Sequence, residues 1–195
     1  MKKSDQTKDK ILAAALDEFA TKGFAGTRVD QIARAAGVNK AMIYYHFTGK
    51  EDLFNELFRQ EMEQLRQELG VVLAQNDHSV DGLTRAAGDF LEYIASKEKL
   101  LRVLMSGSLL NQALQPQLFQ LLDFTTATGL DLAQKAGQPA QPLNQKALLN
   151  ELFTGLLPLI SFVLLRDGLQ TYYGWDRETL TSRFLAGWLS QHGGY

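Results

Sequence analysis

From Asn39 to Lys50 the chain reads Asn-Lys-Ala-Met-Ile-Tyr-Tyr-His-Phe-Thr-Gly-Lys. Two phenol hydroxyls, an imidazole, two ammonium groups and a carboxamide stand close together, with no carboxylate among them. Such a set suits a polyanion. Phosphate oxygens accept hydrogen bonds from Tyr, His and Lys, while Ala41 and Met42 are fitted to thymine methyl groups. On a helix, Ile43 and Phe47 lie four residues apart and point inward, so Lys40, Ala41, Met42, Tyr44, Tyr45 and His46 form the outward face. A merely solvated face would carry Glu, Lys and Gln. Two structural alternatives stand beside this reading: Tyr44 as half-buried core with its hydroxyl at the surface, and His46 as a surface residue without a role.

Other chemistries find no support. The chain contains no Cys, which excludes disulfides, thiol redox chemistry, Cys-ligated zinc and a Cys nucleophile. His46, His78 and His192 are far apart and share no metal-ligand spacing. There is no Gly-rich phosphate loop and no G-x-S-x-G. Acid pairs such as Asp89 and Glu92 read as solvated helix faces. Catalytic residues, metal ligands and cofactors are therefore not expected, and the protein is not expected to be an enzyme.

The elements that must position the polar face follow from periodicity. Leu12, Ala15, Leu16 and Phe19 fall at i, i+3, i+4 and i+7, which predicts a helix from about Thr7 to Lys22 that Gly23 stops. Thr27, with Asp30 three residues on, predicts the opening of a second helix. Val29, Ile32, Ala33 and Ala36 repeat the stripe up to Gly37. Asn39 is a good N-cap for a third helix, Lys40 to about Phe47. Ala33, Gly37 and Ile43 together make a helix-turn-helix corner: a small residue for close approach, a glycine for the sharp turn, and a branched apolar plug. A fourth helix is expected from near Gly49 and Lys50 to about Leu73. Further helices are expected near 80–95, 98–106, 116–136, 144–168 and 177–191, with breaks at Gln75–His78, Ser106-Gly107, Pro116, Gly137-Gln138-Pro139 and Gly174.

Residues 23–53, GFAGTRVDQIARAAGVNKAMIYYHFTGKEDL, resemble the TetR family of bacterial repressors. The matching features are G-[FY]-x-x-T, then I-A-x-x-A-G-V, then I-Y-Y-H-F followed by x-x-K-E-x-L. The resemblance covers the head only, and the remainder matches by size and helical character. It implies an all-α homodimer of about nine helices, with a three-helix DNA-binding head and a larger C-terminal helical domain that binds a small molecule and dimerises. It places phosphate contacts at Tyr44, His46 and Lys50, with Thr27 and Arg28 clamping the backbone. Lys40, Ala41, Met42 and Tyr45 are then candidates for base edges, and Asn39 belongs to the same surface. Two positions depart from the family's pattern. Arg28 stands where a second Thr is common, and Gly49 where Ser is usual, although Thr48 with Glu51 offers a substitute cap.

Length and charge agree with a head-and-body division at residues 1–50 and 51–195. The 195 residues suffice for a small head and a larger body. Residues 1–50 carry nine Lys and Arg against five Asp and Glu, and residues 51–195 carry eleven against seventeen. A basic head on an acidic body suits a double-stranded DNA operator as partner of the head alone. The segment 148–165, LLNELFTGLLPLISFVLL, is apolar nearly all round in its second half and must be covered on both sides; a second copy of the chain is the natural cover for one of them, and a single buried central helix in a monomer is the alternative. Leu180, Phe184 and Trp188 lie at helical spacing in the final segment. Pro158 is expected to kink its helix and open space. Phe90, Met105, Phe119, Phe124 and Phe153 are the candidate lining of a pocket for a small-molecule effector, although core is the commoner role for each. The apolar run Leu156–Leu165 is about half of the roughly 20 residues a bilayer requires, and the N-terminus lacks an apolar signal segment, so no membrane partner and a cytoplasmic location are expected. The alternatives are a dimeric regulator without an effector, a helical enzyme, and an adaptor that binds no DNA.

Overall fold

A computed structural model describes residues 3–75, 80–135 and 142–192. Among these the fold is all-α, with nine helices and no strand. They are α1 (Lys3–Gly26), α2 (Val29–Ala36), α3 (Lys40–His46), α4 (Lys50–Gln75), α5 (Val80–Ser96), α6 (Glu98–Leu110), α7 (Gln115–Lys135), α8 (Gln145–Tyr173) and α9 (Arg177–His192). The expected breaks at Asn76–His78 and at Gly137-Gln138-Pro139 lie outside the described residues. Two compact units form: Met1–Arg66 with Lys99–Leu118, and Gln67–Glu98 with Phe119–Tyr195.

In the first unit, α1 extends past the expected stop at Lys22, but its path breaks at Gly23 (φ 73°) before a last turn to Gly26. That left-handed residue lets Phe24 fold back as a buried ring. Phe24 meets Phe19 at 5.2 Å and Phe54 of α4 edge-on at 5.8 Å, and Phe19 meets Phe54 at 6.2 Å. Three rings thus clamp the end of α1 to α4 in the tilted and edge-to-face geometries that ring quadrupoles favour. Ile11, Ile32, Ile43, Leu53 and Leu104 complete a core drawn from α1, α2, α3, α4 and α6.

The second helix begins at Val29, two residues later than Thr27 suggests. Arg28 is its N-cap, and the backbone N–H of Arg28 donates to Gln31 Oε1 at 2.9 Å. Gly37 closes α2 at φ 66°, and Val38 N–H returns to the carbonyl of Ala33 at 3.0 Å. This left-handed closure sets the corner between α2 and α3. At the start of α4, the partner of Thr48 is Asp52 rather than Glu51: the Thr48 N–H donates to Asp52 Oδ2 at 2.8 Å.

Ser106-Gly107 does not break α6, which runs on to Leu110. Gly107 serves instead as a close approach, since a Cβ there would lie 2.5 Å from Leu114 Cδ1. The helix ends where the Asn111 side chain accepts the N–H of Ala113 and starts the short turn Gln112–Leu114.

In the second unit, α8 is one continuous helix of 29 residues, longer than the expected 144–168. Pro158 has no N–H for the carbonyl four residues back, and its ring crowds that carbonyl. The chain answers with a wider π-helical stretch, Glu151–Leu156, immediately before it. Within this stretch a Cβ at Gly155 would collide with the Glu151 carboxylate, and Trp188 Nε1 of α9 donates to the Gly155 carbonyl at 3.1 Å. Phe162 stacks on Phe184 of α9 at 4.0 Å. Leu159, Phe162, Val163 and Arg166 form the buried stripe of α8, while Leu149, Phe153, Ser161 and Leu165 form an exposed one. The helix is long and apolar enough to cross a membrane, a test that core helices of soluble bundles also pass.

Two outcomes follow. Replacing Phe54 by Ala is expected to cost about 3–5 kcal/mol of stability, and replacing the exposed Leu110 by Ala less than about 0.5 kcal/mol, both read as urea midpoints. Glu56 is held at a pKa of about 2, below its ordinary 4.5, chiefly by its hydrogen bonds from Arg59, with Lys8 adding to the effect against the opposing cost of burial. Its folded pKa is depressed, so its contribution is complete above about pH 4.5 and is lost as pH falls toward 2. Glu56→Gln is expected to flatten the stability-versus-pH curve in that window.

Candidate nucleic-acid interface

The α3 helix is held by its ends and by one face. Asn39 Oδ1 accepts the N–H of Met42 at 2.8 Å, which commits the carboxamide oxygen to capping and leaves its amide donors at the surface. Ile43 is fully buried and Phe47 nearly so, as the four-residue spacing requires. The opposite face is open. Lys40 and Ala41 are exposed, Met42 is half-buried, and Tyr44 and Tyr45 are 51% and 77% exposed. Rings of that size left in water, beside a helix whose other face is fully buried, are surface awaiting a partner.

Electrostatics order this face. Lys40 Nζ pairs with Asp30 of α2 at 2.8 Å and lies 5.8 Å from the centre of the Tyr44 ring. The Lys40 ammonium, by hydrogen bond and charge, holds Asp30 below the usual carboxylate range, and Asp30 raises Lys40 in return. Both groups are solvated, so the pair is screened and contributes position more than stability. Arg28 and Arg34 are exposed on α2. Periodicity did not single out Arg34; its place in the last turn of α2, outside the apolar stripe, was the signal available.

Three of the expected contact residues are placed differently from the open face. Thr27 is buried, and its hydroxyl lies within hydrogen-bond reach of the carbonyls of Gly23 at 2.9 Å and Glu18 at 3.0 Å. It ties the end of α1 to the start of α2. Lys50 Nζ donates to the carbonyls of Phe24 at 2.9 Å, Ala25 at 3.3 Å and Thr27 at 3.3 Å, and lies 4.8 Å from the Phe24 ring centre. A cation at a helix N-terminus needs a compensating partner, and here three backbone carbonyls supply it. His46 is half-buried with Nε2 turned inward and no hydrogen-bond acceptor or donor at that atom. Only its other edge can face a ligand.

The candidate pocket residues are dispersed. Met105 belongs to the first unit, and Phe90, Phe119, Phe124 and Phe153 to the second. Phe90 and Phe124 are half-buried, whereas Phe119 and Phe153 are 50% and 65% exposed, which is not the setting of an enclosed wall. Phe153 lies on the open stripe of α8. No cluster of His, Cys, Asp and Glu suited to a metal occurs among the described residues.

Residues 11–57, which span α1 to the first turns of α4, match the family described as bacterial regulatory proteins, tetR family. Over those residues the chain is similar to bacterial regulatory proteins of the TetR family. The chain is also similar to the Staphylococcus aureus biofilm operon icaADBC HTH-type negative transcriptional regulator IcaR, at 28% identity over 101 residues. That similarity covers 52% of this chain and 54% of IcaR, so the chain spans about half the length of this relative. The Pseudomonas putida HTH-type transcriptional repressor NicS is 28% identical over 186 residues, 94% of this chain and 82% of NicS. In fold the chain is similar to the transcriptional regulator FadR from Bacillus subtilis, solved in complex with stearoyl-CoA. The TM-score is 0.68 at 21% identity, over 93% of this chain and 97% of FadR.

Lys50→Met is expected to lower stability by about 1–3 kcal/mol, because three carbonyls lose a charged donor. Urea denaturation measures this. A variant as stable as the parent would remove this anchoring role from Lys50.

Proposed function

We propose that the protein is a dimeric DNA-binding transcriptional repressor. Residues 1–50 form the head that reads DNA, and residues 51–195 form the body that dimerises and binds a small apolar or amphipathic effector. The observation that carries this reading is the open face of α3, where Lys40, Ala41, Tyr44 and Tyr45 stand exposed above a buried Ile43. Tyr hydroxyls and Lys40 bond phosphates, while Ala41 and Met42 meet base edges in the major groove. One short helix reads few base pairs, so two heads set roughly 34 Å apart read a pseudo-palindromic operator.

A homodimer is supported by the open stripe of α8, Leu149, Phe153 and Leu165, which a second copy of the chain covers. Effector binding draws support from the fold shared with FadR, whose solved complex holds stearoyl-CoA. The effector releases DNA by favouring a head spacing that no longer fits successive half-sites, which requires it to bind the two states unequally. The protein acts in the cytoplasm, where its operator is. A regulator without an effector is the second reading, favoured by the exposure of Phe119 and Phe153.

The test is a gel-shift series on the DNA flanking the protein's own gene. Tyr44→Phe and Tyr45→Ala are expected to weaken binding, and Tyr44→Phe to reduce the salt slope by about 1 for a lost phosphate contact. Affinity and slope that match the parent in both variants would remove α3 from the interface.

A further inference from the structure

On the buried stripe of α8, Leu159, Phe162 and Val163 are followed at the next core position by Arg166. The spacing i, i+3, i+4, i+7 calls for an apolar residue there. Arg166 is only 6% exposed, and its Nε and Nη1 are buried with no hydrogen-bond partner. Its ion-pair contact is Glu92 of α5, whose Oε1 lies 3.8 Å from Nη1, beyond hydrogen-bond reach. The Glu92 side chain is itself mostly in water, so it screens the guanidinium weakly. A guanidinium does not shed its proton when buried, and a buried charge with unfilled donors is among the costliest arrangements in a core. A protein that needed only packing at 166 would be better served by Leu or Met.

We propose that Arg166 is the anchor of the effector site and that the effector is an amphipathic oxyanion, with a carboxylate or phosphate head on an apolar body. The planar fork of the guanidinium matches the oxygens of such a head. The side chains buried in the same unit, Leu91 and Ile94 of α5 and Leu159, Phe162 and Val163 of α8, are apolar, so a ligand body entering among them would have to be apolar too. The assignment deepens the proposed function and rests on its reading of the second unit as the effector-binding part. It replaces a core Arg that the regulator reading leaves unused with the residue that selects ligand charge.

The experiment measures thermal stabilisation and binding of the full chain with alkyl carboxylates from butanoate to hexadecanoate, the matched alkyl phosphates, and the matched neutral alcohols. Wild type is expected to be stabilised by an acid series and not by the alcohols, and the series that acts identifies the head group. Arg166→Met is expected to fold at least as stably without ligand and to bind the acid roughly tenfold or more weakly. Glu92→Gln, which removes a competing carboxylate, is expected to tighten binding. No stabilisation of wild type by any acid, equal stabilisation by alcohols, or full affinity in Arg166→Met would overturn the proposal. If Arg166→Met does not fold, Glu92→Gln decides: tighter binding supports the anchor and unchanged binding overturns it. Operator binding is read separately by gel shift. A protein that binds the acid through Arg166 but binds no DNA would leave the anchor standing and overturn the regulator reading, and the reverse result would do the opposite.

Discussion

The head depends on one ammonium group. The left-handed turn at Gly23 ends the regular hydrogen bonding of α1 and leaves carbonyls at residues 24, 25 and 27 with no helical donor. Lys50 reaches across from the first turn of α4 and donates to all three. Its aliphatic stem and charge sit beside Phe24, the ring that the same turn folds inward. One side chain therefore satisfies the α1–α2 connection, opposes the unfavourable N-terminus of α4 with a backbone partner, and joins the two. The angle of α2, and through Gly37 and Ile43 the presentation of α3, are built on that joint.

Much of the head was readable in the sequence because its constraints are local. The Gly23 and Gly37 turns need positive φ, and both glycines have it at 73° and 66°. Asn39 caps α3 through the N–H of Met42, as a residue of that type before Lys-Ala-Met should. Less legible were the intramolecular partners of two residues. Thr27 has the composition of an N-cap, and only the placement of Glu18 and Gly23 shows its hydroxyl occupied. Lys50 has the sign of a phosphate ligand, and its carbonyl partners are more than twenty residues away in sequence. A polar side chain's type states what it can bond, while its partner is a property of the fold.

The body was less legible for a different reason. Its helices are apolar over more than one face, so periodicity cannot separate core from interface. Gly107 read as a breaker and is instead the contact point for Leu114 within a continuous helix. Pro158 read as a kink, and the chain absorbs it in a π-helical stretch that only the backbone reveals. Arg166 carried a usable signal, a charged residue in the core slot of an otherwise apolar stripe, but the stripe itself could not be oriented before α5 and α8 were placed.

The irregular features of the second unit concentrate on α8. The π-helical stretch, the Gly155 carbonyl taken by Trp188, the Glu151 carboxyl pushed up to about 7 by burial, and the unfilled donors of Arg166 all lie along it. The head shows no comparable concentration: its turns are glycine, Asn39 caps α3 and its buried rings meet in favourable geometries. Natural chains keep local choices consistent with the fold except where function requires otherwise. A raised Glu pKa disfavours the folded state as pH climbs from 4.5 toward 7, so Glu151 works against stability where Lys50 works for it. The same helix presents its open stripe, Leu149, Phe153 and Leu165, to the proposed partner copy. An anion filling the donors of Arg166 on one side of α8 would thus act on the element whose other side carries the open apolar stripe.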